Sequence, residues 1–239
     1  IDKANREAFE ENWQIIKKCW TEEMLTFEGK YWKVPAGATP WDLDTTNKYG
    51  KGVENGMLKA VGVVPKPLQK PYPPVFLPFA SSPGSIRWAA TEGVTAILPP
   101  MHEAYEAPLY DLYAEVSGRP RGQGTGLLRD VIICDSDEEA MKLWENSGRF
   151  SGRAWFEPFG FRRGSLDPVT KKFSTPEESI ALGHALVGTV DTVTRALEAN
   201  MKRQPVDWLF CYTYNALIPH DKLMKSTEAL WTKVLPKFR

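Results

Sequence analysis

Histidine and cysteine are scarce in this chain, three of each among 239 residues. His102, His184 and His220 stand far apart, with no HxxxH, HExxH or clustered carboxylates around them, so no metal site is expected. Cys19, Cys134 and Cys211 are odd in number and lack CxxC spacing. That argues against a disulfide framework and reads as small apolar residues in a reducing, cytoplasmic compartment. Neither charge sign dominates: 30 Lys and Arg against 30 Asp and Glu leave a formal net charge of zero. Nothing in that balance attracts a nucleic acid or a membrane surface over distance. No apolar run approaches the ~20 residues that cross a bilayer. What is present, 42% hydrophobic and 25% charged residues, suits one large globular domain over residues 1–239.

The most informative stretch runs from Pro73 to Pro100 (PPVFLPFASSPGSIRWAATEGVTAILPP). Val75 to Phe79 reads as a buried strand, and Ile86, Trp88, Ala89 and Ala90 form a helical stripe ended by Gly93. Val94 to Leu98 is a second buried strand. Strand, turn, helix and strand in so short a span make a βαβ unit, the building block of parallel sheets. The turn, Ala80-Ser81-Ser82-Pro83-Gly84-Ser85, supports two readings. Ser82 is a good helix N-cap with Pro83 in the first turn; the same hydroxyls and free N–H groups also suit an anion at the positive end of a helix.

Along the chain, periodicity predicts helix 5–23, a hairpin over 25–34 turning at Glu28-Gly29, and an extended excursion of low structural content over 35–72. A short strand is predicted at 61–64. After the βαβ unit come helix 105–117, strand 127–134 (LLRDVIIC), helix 137–145, helical character over 176–186, helix 189–202, strand 207–213 and helix 222–235. Residues 146–176, rich in Gly, Arg and aromatics, are too long for a plain connection and read as a mobile lid or as disorder. Alternating helices and buried strands imply a parallel α/β sheet, either doubly wound or barrel-forming. Four clear strands are too few to close a barrel. With a start at Ile1 inside a helical pattern, they lead us to expect a fragment.

The ordered pieces resemble the bacterial luciferase-like flavin monooxygenase family. They are Phe9-Glu10-Glu11-Asn12-Trp13-Gln14-Ile15-Ile16 with Cys19-Trp20, Phe27-Glu28-Gly29-Lys30-Tyr31, and Val64-Pro65-Lys66-Pro67-Leu68-Gln69-Lys70-Pro71 with Pro73-Pro74. Ala80-Ser81-Ser82 with Trp88-Ala89-Ala90, Gly188-Thr189-Val190-Asp191-Thr192-Val193, and Val234-Leu235-Pro236-Lys237-Phe238 complete the set. No one motif decides the matter, but their order covers nearly the whole chain. The resemblance implies a (β/α)8 TIM barrel of roughly 300 or more residues, of which this chain holds about strands five to eight.

It further implies a monooxygenase using reduced FMN and O2 on a small organic substrate, with a flavin reductase as partner and a homodimer or related subunit as assembly. Ser82 and Ser85 match the family's phosphate-holding positions, with Ala80 and Ser81 beside them; Pro100 and Met101 would lie near the flavin ring. Pro100 departs from the aromatic or polar residue usual there, so only its position carries over. His102 is a candidate general base or only a supporting histidine. Arg149, Arg153, Arg162 and Arg163 would close over a phosphate or anionic substrate, or are incidental arginines of a solvated loop. Tyr212 and Tyr214 line the pocket or pack below it. The same barrel can carry a deazaflavin for hydride transfer instead, and a non-catalytic or truncated barrel subunit is a third reading.

Overall fold

The computed structural model describes residues 2–213 and 217–238. Where composition suggests a single domain, the chain forms two compact units, Ile1–Pro74 and Val75–Arg239.

The first unit opens with helix α1 (Asp2–Thr21), which buries Trp13. Trp13, Trp20 and Tyr72 stack edge to face and tilted, with ring centroids 5.5–6.0 Å apart. Strands β1 (Phe27–Glu28) and β2 (Lys33–Val34) form the expected hairpin, but its turn lies at 29–32 and not at Glu28-Gly29. The cause is Glu11 on α1, whose carboxylate accepts from the backbone N–H groups of Lys30, Tyr31 and Trp32. The 35–72 excursion is more structured than expected. It contains β3 (Thr39–Pro40), helix α2 (Asp44–Tyr49), β4 (Val53–Glu54) and β5 (Met57–Leu58), the strands forming an antiparallel sheet in the order β3-β5-β4. The strand expected at 61–64 reduces to one bridge, Leu25 to Val61.

The second unit holds the parallel sheet. Its elements are β6 (Phe76–Leu77), α3 (Pro83–Glu92), β7 (Thr95–Leu98), α4 (Glu103–Ser117), β8 (Thr125–Ile133) and α5 (Asp137–Glu145). There follow α6 (Gly148–Ser151), α7 (Pro176–Ala181), β9 (Ala185–Gly188), α8 (Val190–Arg203), β10 (Trp208–Tyr212) and α9 (His220–Ala229). β6, β7, β8 and β10 are successive parallel neighbours. Phe76 on the first of these strands meets Trp208 and Phe210 on the last, centroids 4.9 and 5.2 Å apart. Rings from the two outermost strands touch only if the sheet is curled, so this is an arc of a barrel with aromatic filling.

β9 is a fifth strand that helical periodicity over 176–186 conceals. Gly183, at φ +68°, ends the helical turn, and the fully buried Ala185, Leu186 and Val187 then run extended beside β8. Register explains its place. Leu127 is level with Leu98 on one side and Leu209 on the other, whereas Asp130 is level with Tyr212 and Ala185. β9 therefore takes over the edge of β8 where β7 stops.

A core cluster lies on the outer face of the arc, where Val131, Ile133, Leu186, Val193, Leu197, Leu230 and Val234 pack together. Each such side chain contributes roughly 1.5–3 kcal/mol by leaving water. The closing helix is α-helical only to Ala229, then passes through a π-helical turn (Leu230–Val234) that aims Leu230 and Val234 into this core. The 146–176 segment, expected as a lid loop or disorder, carries α6, a π-helical turn (Gly152–Phe156), a 3-10 turn (Arg163–Ser165) and a bridge between Leu166 and Phe173.

Candidate active site

In a strand, successive side chains point to opposite faces, and β8 uses this to place two neighbouring charges. Arg129 faces the helices. It is 1% exposed and donates to Glu106 Oε1 (3.0 Å), to the Gly183 carbonyl (2.9 Å) and to the Leu128 carbonyl (3.0 Å). Leu128 and Asp130 face the other way, into a cleft at the carboxyl ends of β7, β8 and β10. Phe79, Pro99, Pro100 and Tyr212 form further parts of its wall, and Trp144, Gly148, Arg149, Phe156, Phe161 and Arg162 cover it from the 144–162 side. Phe79 adopts φ +52°, a conformation that bulky residues rarely hold, and its ring lies 5.7 Å from that of Phe156.

Asp130 is a half-buried carboxyl of this cleft. It accepts a 2.7 Å hydrogen bond from Trp144 Nε1, and burial raises its pKa, opposed by that bond and by Arg162. Gly148 packs against both groups. A Cβ there would lie 2.8 Å from Asp130 Oδ2 and 2.9 Å from the Trp144 ring, so only glycine lets α6 approach this closely. Arg149 sits with its guanidinium 5.8 Å from the Trp144 ring, and burial lowers its pKa, helped by the charge of Arg153. Arg162 is tied to Glu157 (3.1 Å) and lies 4.5 Å over the Phe173 ring. His184, expected in mid-helix, stands just before β9 and lines the cleft. Burial and then the charges of Arg129, Arg203 and His102 push its pKa down to about 3, opposed by the nearby Met101 backbone. It is a neutral imidazole at ordinary pH.

The candidates read from the sequence divide into three groups. Pro100, Arg149 and Tyr212 line the cleft, while Arg153 stands exposed beside it. Met101 and Ala80 are buried, 2% and 1% exposed, and Ala80 N–H donates to the Ile97 carbonyl to hold the end of β6 against β7. Ser81 and Ser82 are exposed. Ser82 is the N-cap of α3, accepting from Ser85 N–H at 3.2 Å, with its own hydroxyl 3.1 Å from that of Ser85. A Cβ placed at Gly84 meets no atom within 4 Å, so the turn is open to approach from outside. Tyr214 lies outside the described residues.

His102 is the N-cap of α4: its Nδ1 accepts from Ala104 N–H at 3.2 Å, and its Nε2 lies 3.5 Å from Asp167. That use of Nδ1 makes it a helix cap in this structure; the sequence offered either a general base or a supporting histidine. The loop it occupies fastens the covering segment, because His102 N–H donates to the Gly164 carbonyl (2.8 Å) and Ser165 Oγ to the Pro100 carbonyl (2.7 Å). Among the described residues no cluster of His, Cys, Asp or Glu is arranged to hold a metal ion, and no helix is long and apolar enough to cross a membrane.

No family model matches the chain, and no curated protein does. Solved structures do match. The monooxygenase RslO1 from Streptomyces bottropensis is 17% identical over 98% of this chain, with a TM-score of 0.71. The oxygenating constituent of 3,6-diketocamphane monooxygenase from Pseudomonas putida, a type II Baeyer-Villiger monooxygenase in complex with FMN, is 21% identical over 95%, with a TM-score of 0.67. This chain has the luciferase-like barrel fold. Riboflavin lyase RcaE, solved with modified FMN and riboflavin, is 14% identical over 96% of the chain, at a TM-score of 0.53. The chain spans 62% of the length of each of the first two structures.

Two cleft-lining residues escape a reading of the sequence alone. Asp130 is signalled only by a second charge beside Arg129 inside an otherwise apolar strand, and His184 only by the strand that follows it.

Proposed function

We propose that this chain is the flavin- and substrate-binding part of a flavin-dependent monooxygenase that uses reduced FMN and O2 to oxygenate a small organic substrate. The observation that carries the reading is the cleft itself. It opens at the carboxyl ends of a curled parallel sheet, where enzymes of barrel fold bind their substrates. Structures of the same fold include one in complex with FMN and one with modified FMN, which supports a flavin here.

The residues fit the group. Ser82 and Ser85 present hydroxyls at the N-terminus of α3, three residues and more beyond the cleft-lining Phe79, and the open space at Gly84 admits a phosphate. Bound FMN would supply the redox chemistry and the reaction with O2. The chain's own groups would do the rest: the Ser turn holds the phosphate, Phe79, Pro100 and Tyr212 shape the space for ring and substrate, and the 148–174 segment keeps water out. A separate reductase would deliver the reduced flavin.

Titrating the chain with FMN and with a deazaflavin, followed by quenching of tryptophan fluorescence, tests the reading. Saturable binding with preference for FMN is expected. Preference for the deazaflavin would replace oxygenation with hydride transfer on the same barrel. Failure of both to bind would overturn the reading and leave a non-catalytic subunit.

A further inference from the structure

We propose that the cleft takes an aromatic carboxylate, with a planar apolar body against Phe79, Phe156 and Phe161 and its anionic end on Arg149. The inference rests on the reading of the cleft as a substrate site and adds the class of substrate.

Two guanidinium groups line the cleft, and they differ in what they already hold. Arg162 is committed to Glu157 and to the face of Phe173. Arg149 is half-buried, yet its bonds to the Ser174 carbonyl are 3.5 Å long, and Glu145 and Glu177 act on it only by charge, with no ion pair within 4.0 Å among the described residues. A guanidinium carries five N–H donors in a planar fork suited to a carboxylate. Arg149 lies 5.8 Å from the Trp144 ring, a contact that uses the face of the guanidinium and leaves its N–H fork toward the cleft largely unspent. The charge of Arg153 opposes that of Arg149 while Glu145 and Glu177 favour it, and Arg149 and Arg153 both oppose Arg162, a crowding of cations that a bound anion would relieve.

The walls say what accompanies the charge. Phe79, Phe156 and Phe161 form a chain of rings with centroids 5.7 and 6.4 Å apart, offering faces and edges to a flat apolar body. Asp130 then decides between anions. It is a half-buried carboxyl in the same cleft, with its pKa raised by desolvation, and when ionised it repels a bound anion in proportion to that anion's charge. A phosphate dianion therefore meets about twice the repulsion that a carboxylate monoanion meets at the same distance.

The test is calorimetric titration of the chain, without flavin, using 2-naphthoate and its neutral counterpart 2-naphthamide. We expect 2-naphthoate to bind at least ~10-fold more tightly, an advantage of the size a charge-assisted bidentate pair provides. Arg149→Gln is expected to remove that advantage and leave amide binding unchanged, which also shows that the variant is folded. Arg149→Lys, which keeps charge but loses the fork, should retain only part of it. Equal binding of acid and amide, no binding of either, or an unchanged preference in Arg149→Gln would overturn the proposal. So would inorganic phosphate displacing 2-naphthoate at equal concentration. Because flavin binding is measured separately, 2-naphthoate bound without any flavin affinity would sink the monooxygenase reading and leave this one standing.

Discussion

Arg129 and Asp130 are adjacent in β8 and face opposite surroundings. On the outer face Arg129 spends its donors on Glu106 and two carbonyls, sealed at 1% exposure. On the inner face Asp130 has one side-chain donor, Trp144, and lines an open cleft with room for a ligand. One is sealed and the other half-buried, but the sharper difference is in how their bonding capacity is used. A closed set of partners marks a group that holds the fold, and spare bonding capacity facing a cavity marks one that can act.

The comparison is sharpest at its outer end. Glu106→Ala leaves Arg129 buried without its counter-ion, and we expect a loss of about 3–5 kcal/mol in urea denaturation. A loss below ~1 kcal/mol would mean that the pair is far better solvated than its burial implies.

The inner face should show itself in pH. His184 has a pKa near 3 in the folded chain against 6.5 ordinarily, so the unfolded chain binds more protons between these values. Stability contributed by neutral His184 is present above pH 6.5 and is lost as pH falls toward 3. Denaturation across that range should be flatter for His184→Gln than for the wild type, and parallel curves would contradict the assignment.

Asp130 has the opposite sign. Its folded pKa is raised above 3.8, so the native chain holds the proton longer and stability falls as pH climbs through that window. Asp130→Asn removes the fall. A smaller effect is expected at the turn: Ser82→Ala loses a helix cap and about 1 kcal/mol. Asp130→Asn at pH 4 should be smaller still, under about 1 kcal/mol, because the amide oxygen still accepts from Trp144.

Much of the second unit is legible in the sequence, because long apolar runs such as Leu127 to Cys134 admit one reading. Failures occur where local pattern and tertiary demand diverge. Ala185-Leu186-Val187 continues a helical pattern, and only Gly183 and an open edge on β8 make it a strand. The hairpin turn moves because Glu11, distant in sequence, gathers its N–H groups. In the site, Arg149 and Tyr212 are foreseeable as residues at strand ends or in a Gly- and Arg-rich segment. Asp130 is not, since its place depends on which face of β8 turns inward. The role of His102 is equally hidden, because a helix cap and a base look alike until Ala104 N–H is seen on its Nδ1.

The central claim, a flavin whose phosphate sits at the Ser82–Ser85 turn beside the cleft, is most directly tested by comparing FMN with riboflavin. The two differ only in the phosphate. The account predicts that FMN binds at least ~10-fold more tightly, as charge-assisted bonds to a phosphate allow, and that the gap closes in a Ser82→Ala/Ser85→Ala variant. Equal binding of the two, or a gap that survives both substitutions, would contradict it.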